Sequence, residues 1–582
     1  MSNQNAEVVD LLQAIGDLME LRGDDAFRVR AYREAARQMD LVTEDVATLS
    51  EEDRLTGIKG IGPSIARTIM EFLQSGESRQ LNDLREDVPE SLVEMLGIRH
   101  FGPSRIVKVH RALQVTTLDE LEAAAHDGRL ATVSGFGQKS VETLLTSIDR
   151  FRLRRGRVAR YVAESVAQTI QHSLRQMANL ADVAIVGGMR RLCDSVGEIT
   201  MLAASDEPPV VLEAFERLTL LREVEVVSAY AALGHTRERH LIRLHVVPPA
   251  LWAQGLVVFT GSEAHVAQLH ERARSLGSAA ETESRASGVW PGLLRQAGPE
   301  RDEAAVYERL GLPWMAPELR EGRGEIEAAL EGRLPVLLET GDIRGDMHLH
   351  TTWSDGRNTV LEMGEQAQAI GLEYIAIADH SPSLGVARGL TLERLAGQRA
   401  EIKAAGEQLE GIRILSGVEV DIRHDGSLDY PDEVMAGFDF VTASLHSGFQ
   451  QSGEQLTERV IKAMRSPHVD CIGHLTGRIL GWRDSLDLDV ERILQVAAET
   501  CTAMEINAWP NRLDLDEEHA RRAKELGIKL VINTDSHAAG QMEHMHYGVE
   551  IARRAWLIAD DVLNTLSFDA LLAYLASRPQ KG

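Results

Sequence analysis

Between residues 346 and 537, seven short apolar runs each end at, or just before, a side chain able to hold a metal ion or a phosphate. The runs are IRGDMHLH with His348 and His350, EYIAIADH with Asp379 and His380, RILSGVEVD with Glu419 and Asp421, and FDFVTASLH with His446. They continue with VDCIGH and His474, TAMEIN and Glu505, and KLVINTDSH with Asp535 and His537; Asp355 stands apart, in TTWSDG. Neutral imidazoles mixed with carboxylates suit zinc, manganese or iron, which leaves the metal open. Such a cluster activates water near neutral pH and offsets negative charge developing on a phosphoester, so phosphoester hydrolysis is the reaction class. Arg478 in GHLTGR and Arg512 in NAWPNRLD follow two of the runs. Each could hold a substrate phosphate in a forked contact, or equally serve as a structural ion pair. Asn507 and Trp509 share the Arg512 loop and could touch a sugar or base, whereas His424, His468, His519, His544 and His546 fall outside the pattern and are expected to be exposed.

These side chains need a scaffold that gathers them. Alternation along a strand puts His348 and His350 on one side. Helical stretches such as VLEMGEQAQAIG and EEHARRAKELG separate the runs, as in repeated βα units. Parallel strands closed into a barrel bring their C-terminal ends to one face, where one pocket would collect all these groups.

The whole chain is 582 residues, which at about 150 residues per domain suggests three or four domains. Three cysteines, Cys193, Cys471 and Cys501, form no close pair, so neither a disulfide framework nor a thiolate zinc site is indicated. The first residues lack the pattern of a signal peptide, and no apolar run approaches the length that crosses a bilayer, so a cytoplasmic protein with no membrane partner is expected. A formal net charge of -27 argues against loose electrostatic binding of nucleic acid. Residues 1–150 carry 17 Lys and Arg against 26 Asp and Glu, so DNA contacts there should rely on backbone donors.

That region opens with helical spacing in VVDLLQAIGDLMEL and FRVRAYREAARQM, then repeats one pattern: GIKGIGPSIARTI at 57–69, GIRHFGPSRIVKV at 97–109 and VSGFGQKSVETLL at 133–145. Glycines allow a tight hairpin, and the N–H groups opening the next helix can meet a phosphate oxygen. Gly60, Gly62, Gly102, Gly135 and Gly137 are the candidate DNA contacts of three helix-hairpin-helix units, with His100 in place of a glycine in the middle one. RFRLRRGRVAR at 150–160 then concentrates six arginines, which a solvated helix start would also explain.

From there the chain runs through ADVAIVGGMRRLCDSVGEITML, HLIRLHVVPP, FTGSEAH and YERLGLPWMAPELREGRGEIEAA. In this order, followed by the His-rich barrel, the segments resemble the bacterial family X DNA polymerases that carry a C-terminal polymerase-and-histidinol-phosphatase (PHP) domain. The resemblance covers nearly the whole chain. It implies a multidomain α and α/β protein: a helix-hairpin-helix helical domain over 1–150, a polymerase-X-like palm and thumb (α+β) over 151–340, and a distorted (β/α)7 PHP barrel over 341–582. It also implies three divalent ions, manganese, zinc or iron: one on His348, His350, Glu419 and Asp535, a second on Glu419, His446 and His474, and a third on Asp355, His380 and His537. Glu419 would bridge, and Glu419, Asp535 and His446 would carry the catalysis.

The polymerase positions depart from the pattern. Where the family has an Asp-x-Asp pair and a third Asp, this chain has Glu198, Thr200 and Arg243, and the family serine is Gly188. Two-metal phosphoryl transfer needs converging carboxylates, so nucleotidyl transfer is expected to be lost. Family members with lyase activity use a lysine where this chain has Thr68. Arg190, Arg191 or the FTGS loop could still grip DNA. The expected function is DNA repair by metal-dependent 3'-5' exonuclease or 3'-end processing, acting on gapped, nicked or 3'-ended DNA. A phosphatase of a small phosphorylated metabolite, of the histidinol-phosphate type, is the alternative that the acidic charge favours; a non-catalytic DNA-binding scaffold is the third reading.

Overall fold

The computed structural model describes residues 3–40, 42, 45–98, 101–154, 156–177, 180–277 and 301–577. Two compact units make up the chain, Met1–Arg155 and Gly156–Gly582.

The first unit is helical. Pro63–Ser75, Pro103–Leu113 and Gln138–Arg154 are the helices that follow the three hairpins. Two start on proline, whose fixed φ suits the first helical position and whose missing N–H would have had no partner there. Gly60 and Gly135 adopt φ of +86° and +93°, left-handed backbone that a side chain resists. The middle residues of the three hairpins, Ile61, Phe101 and Phe136, are all buried, and the two phenyl rings meet edge to face at 6.1 Å. Each tip thus anchors its apolar residue in the core, while a Cβ at Gly62, Gly102 or Gly137 would meet nothing within 4 Å. His100 lies outside the described residues.

The second unit begins with a five-stranded sheet in the order Asp182–Val186, Ile199–Ala204, Leu241–Val247, Ala231–His235 and Arg222–Ser228. Ile199–Ala204 and Leu241–Val247 run parallel; the other pairs are antiparallel. Strand alternation splits the packing. Ile199, Met201 and Ala203 join Arg160–Met177 and Pro208–Glu216 in one core, and Leu202 joins Trp252–Thr260 and Glu263–Ser275 in another.

The barrel strands are Gly345–Leu349, Tyr374–Ile377, Arg413–Asp421, Phe440–Ser444, Cys471–Ile472, Ala503–Asn507 and Leu530–Asn533. They pair in that order, all parallel, and a bridge between Leu349 and Ser536 brings the first and last strands together. This is the expected (β/α)7 arrangement. Met347, Ala376, Leu415, Phe440, Cys471, Ala503 and Val531, one from each strand, share a small buried cluster and each precedes its strand's ligand-type residue. They form a dry floor under the polar end. Val418, Val420, Val441 and Ile532 lie in the larger core with the surrounding helices.

Ion pairs join the sheet body to the barrel through the helix Met545–Arg554. Arg554 donates to Glu321 and Glu517 at 2.8 Å each, and Arg553 to Glu318 at 2.7 Å. The almost fully buried Arg160 pairs with Glu164 and Glu550. Arg160 therefore leaves the arginine-rich segment for a structural contact, and Arg152 pairs with Glu122 at 2.6 Å. Among the described residues no helix is long and apolar enough to cross a membrane.

Candidate metal centre

The C-terminal ends of the barrel strands bring the nine candidate ligands selected from the sequence to one place. Glu419 is the hub. Its Oε1 lies 2.9 Å from His474 Nε2 and 3.1 Å from His446 Nε2, and its Oε2 lies 2.9 Å from His380 Nδ1, 3.4 Å from His348 Nε2 and 3.6 Å from His350 Nε2. His350 Nε2 is also 3.1 Å from Asp535 Oδ1. Asp355 sits 3.4 Å from His537 Nε2 and 3.6 Å from His380 Nε2.

Three groups have ligand atoms within 4.8 Å of one another: His348, His350 and Asp535; His380, Glu419 and His446; and His350, Asp355, His380 and His537. His380 and His350 therefore each stand between two groups, a sharing that the sequence order does not convey. The buried nitrogens His348 Nε2, His350 Nδ1 and Nε2, and His380 Nδ1, with Glu419 Oε2, are close to one another yet not aligned as hydrogen bonds. Buried polar atoms are ordinarily paired. Buried ring nitrogens and a carboxylate oxygen that converge without hydrogen bonds are what a divalent cation satisfies, so the donor set fits metal.

The electrostatics follow from crowding carboxylates and imidazoles in one dry place. Burial works to raise the Glu419 and Asp535 carboxyls, but facing imidazoles outweigh it and hold both well below the usual range. Burial pulls His446 and His537 down, yet Glu419 and Asp421 hold the first, and Asp355 and Asp535 the second, up to about 9. For His350 burial and the neighbouring His537 and His380 act together, and its pKa falls to about 4. His474 and Asp535 adopt φ of +26° and +54°, left-handed backbone that costs a non-glycine residue about 1–3 kcal/mol and tends to mark functional sites.

Three of the other strand-end acids turn out to stand behind the ligands. Glu505 accepts from His348 Nδ1 at 2.7 Å and from the His474 N–H at 2.7 Å, and so fixes the ring that turns Nε2 toward Glu419. Asp421 lies 3.2 Å from His446 Nδ1 and does the same there. Asp379 takes the Thr351 N–H at 2.8 Å and hydroxyl at 2.7 Å, anchoring the loop that carries Asp355. Their type and strand-end position were visible in sequence; which acids face the cluster and which stand behind it was not. Such outer partners set ring tautomer and basicity.

The two arginine candidates separate. Arg478 is corrected to a structural residue: it donates to Asp194 at 2.9 Å, to the Arg512 carbonyl at 2.9 Å and to the Leu513 carbonyl, leaving no fork for a phosphate. Arg512 carries no side-chain hydrogen bond or ion pair among the described residues, and its charge helps to hold down the Asp535 carboxyl. Asn507 is fully buried and donates to Asp535 at 3.1 Å, so it supports a ligand. Trp509 is half-buried, edge-on to His537 and His544. Of the other histidines His424 and His546 are exposed, while His468, His519 and His544 are half-buried.

In the five-stranded sheet, Thr200 and Arg243 are register partners, and Glu198 precedes them. Arg243 Nε donates to Glu198 at 2.8 Å and the Thr200 hydroxyl donates to Glu198 at 3.2 Å. These three line a cavity of about 420 Å³ with Gly187, Gly188 and Arg191. A Cβ at Gly188 would sit 3.0 Å from Val196, tighter than packing ordinarily allows. Arg190 and Arg191 are corrected from candidate DNA contacts to internal ones. Arg190 forks onto Glu303 at 2.9 and 2.7 Å, and Arg191 reaches Glu321 at 2.8 Å and the Thr260 carbonyl at 2.7 Å. Thr68 is buried and hydrogen-bonds to Ser64 O at 3.3 Å.

Comparison with known proteins places this geometry. Residues 3–78 match a helix-hairpin-helix domain, 92–150 a SAM-like helix-hairpin-helix tandem, 255–321 the DNA polymerase beta thumb and 346–508 the PHP domain. Over 577 residues the chain is 35% identical to the DNA polymerase/3'-5' exonuclease PolX of Bacillus subtilis (strain 168), covering 98% of this chain and 99% of that protein. The chain belongs to the bacterial PolX family. A probable phosphatase of Thermoanaerobacter sp. (strain X514) is 31% identical over 247 residues, 40% of this chain and 96% of that relative. A probable phosphatase of Acetivibrio thermocellus is 31% identical over 229 residues, 38% of this chain and 90% of the relative. This PolX chain thus joins DNA-binding folds to a PHP barrel whose His, Asp and Glu clusters could bind metal.

Proposed function

We propose that this PolX chain is a metal-dependent 3'-5' exodeoxyribonuclease of DNA repair whose chemistry sits in the PHP barrel and whose polymerase-like body no longer transfers nucleotides. The observation that carries the reading is Glu419, one carboxylate with five imidazoles within 3.6 Å at the mouth of the barrel. Near-full-length identity to a polymerase/3'-5' exonuclease supports DNA as the substrate. His348, His350, Glu419 and Asp535 would hold one ion, Glu419, His446 and His474 a second, and Asp355, His380 and His537 a third, as manganese, zinc or iron. Bound there, divalent ions supply an activated water and offset the negative charge of the phosphoester.

The protein's own groups do the rest. Arg512 forks onto the phosphate, and Glu505 and Asp421 keep His348 and His446 with Nε2 facing inward. Asn507 holds the outer oxygen of Asp535. The open faces of Gly62, Gly102 and Gly137, with Gly60 and Gly135 shaping the turns, suit backbone contacts to DNA phosphates on gapped, nicked or recessed ends.

The second reading is a small-molecule phosphatase, favoured by the probable phosphatases whose matched length is about that of the barrel. Purified protein assayed with manganese on 5'-labelled DNA and on small phosphomonoesters decides between them. Stepwise release of nucleotides from the 3' end supports the exonuclease; faster hydrolysis of a monoester with no DNA cleavage overturns it.

A further inference from the structure

The loop from Asn507 to Asp514 carries Arg512, and Arg478 pins its backbone. Arg478 Nε donates to the Arg512 carbonyl at 2.9 Å, and one terminal nitrogen donates to the Leu513 carbonyl. The other terminal nitrogen leaves the barrel and donates to Asp194 Oδ2, in the polymerase-like body, at 2.9 Å. Asp194 is itself held. Its second oxygen accepts from the Ser195 hydroxyl at 3.0 Å, and its carbonyl accepts from the Arg160 N–H at 2.9 Å, where Val158–Ala159 pairs with Ser195–Val196.

A second contact from the body reaches the same loop. Trp509 lies edge-on to His544 at 5.4 Å, and the His544 and Tyr547 ring centres are 6.2 Å apart. Tyr547 donates to Glu164 at 2.9 Å, with the Arg160 guanidinium 5.1 Å over its ring. Arg160 is common to both contacts, so two supports of one frame meet the Arg512 loop.

The Arg478 and Asp194 side chains are 12% and 19% exposed, so water screens their attraction little. Without the carboxylate, a mostly buried guanidinium would turn toward another acid or toward water and let go of the two carbonyls. The consequence falls on Arg512. A cation that meets a phosphate beside Asp535 works only from the right place, since a misplacement of about 1 Å can cost about 100-fold in rate.

We propose that Asp194 is a positioning residue for hydrolysis in the barrel: through Arg478 it sets the backbone from which Arg512 reaches the phosphate. The polymerase-like body then serves the reaction as part of the frame of this loop, apart from any hold on DNA. This rests on the reading of Arg512 as the phosphate contact.

The test is a double-mutant cycle in full-length, manganese-loaded protein on bis(p-nitrophenyl) phosphate, a diester too small to use a DNA grip. Expected is a fall in kcat/KM of about tenfold or more in Asp194→Ala, mostly recovered in Asp194→Asn, whose amide oxygen still accepts from Arg478. In the Arg512→Ala background the same Asp194→Ala change should alter kcat/KM by less than about twofold, because the group it positions is gone. Asp194→Ser takes its place in the cycle should the alanine variant melt well below wild type. A loss of equal size with and without Arg512, or no loss in the Asp194 variants, overturns the positioning role. Full activity in Arg512→Ala sinks the reading of Arg512 and the proposal with it, whereas loss in Arg512→Ala alone sinks only the role of Asp194. If wild-type protein leaves the diester intact, calorimetric binding of inorganic phosphate carries the same cycle. Weaker binding in Asp194→Ala that vanishes as a difference once Arg512 is removed supports the proposal, and affinity indifferent to Asp194 overturns it.

Discussion

Arg243 Nε lies 2.8 Å from Glu198 Oε2, so the one carboxylate left at the polymerase positions is already neutralised from within the protein. A divalent ion entering there would meet a resident positive charge and a single acid. Template-directed extension of a gapped primer is therefore expected to be absent with either magnesium or manganese. Incorporation of labelled deoxynucleotide that survives Glu198→Gln would mean that another carboxylate has taken over.

The crowding around Glu419 sets the second expectation. Chelation should abolish phosphoester hydrolysis, and manganese or zinc should restore it. Glu419→Ala should be the most damaging ligand change, because the carboxylate faces all three groups of donors through five imidazoles. Full activity in folded Glu419→Ala and His348→Ala proteins would refute the metal centre.

Much of this centre was legible because strand geometry is local. His348-x-His350 needs only alternation to share a side, and residues ending parallel strands must meet at one face. The hairpin glycines were legible for a similar reason, since the turn requires them. What the chain order concealed were partners far apart in sequence. Arg478 and Arg512 look alike as loop arginines, and only folding shows Asp194 taking the first. Glu505 resembles a ligand, ending a strand as Glu419 does, yet it faces the back of His348. Arg190 and Arg191 read as a basic pair on a surface, while Glu303 and Glu321, more than a hundred residues on, neutralise them.

The contrast between Glu505 and the ligands can be measured. Glu505→Gln keeps the shape and removes the charge that orients His348, so it should weaken manganese affinity by about 10- to 100-fold while the protein remains folded. Unchanged affinity with an unchanged melting temperature would assign Glu505 a packing role only.

Without ions, His446 and His537 hold protons up to about 9. A raised folded-state pKa stabilises fully below the unfolded value of about 6.5, and that contribution is lost as pH rises through the folded pKa. Chelated protein should therefore melt at a lower temperature above about pH 9 than at neutral pH. A divalent ion takes the same nitrogens, so loading at neutral pH must release protons. Calorimetric titration with manganese in two buffers of different ionisation enthalpy should give different apparent heats. Identical heats would mean that the imidazoles are already neutral.

The hairpin unit bears on which substrate the barrel meets. Ile61, Phe101 and Phe136 anchor three turns whose outer glycines face open space, an arrangement that serves a long DNA and offers nothing to a small ester. Deleting residues 1–155, which form a compact unit, should weaken hydrolysis of long DNA far more than that of a dinucleotide or chromogenic ester. The salt dependence of DNA cleavage should change little, because backbone N–H groups hold phosphates without the positive charge that releases counterions. A metabolite phosphatase would keep its full rate after the deletion, and the intact protein would show no preference for DNA. Thermal melting has to accompany the assay, since equal loss on every substrate would report a barrel that unfolds without its neighbour. Unchanged cleavage of long DNA by a well-folded truncation would exclude the hairpins as the grip, and would leave the barrel's own loops to hold the strand.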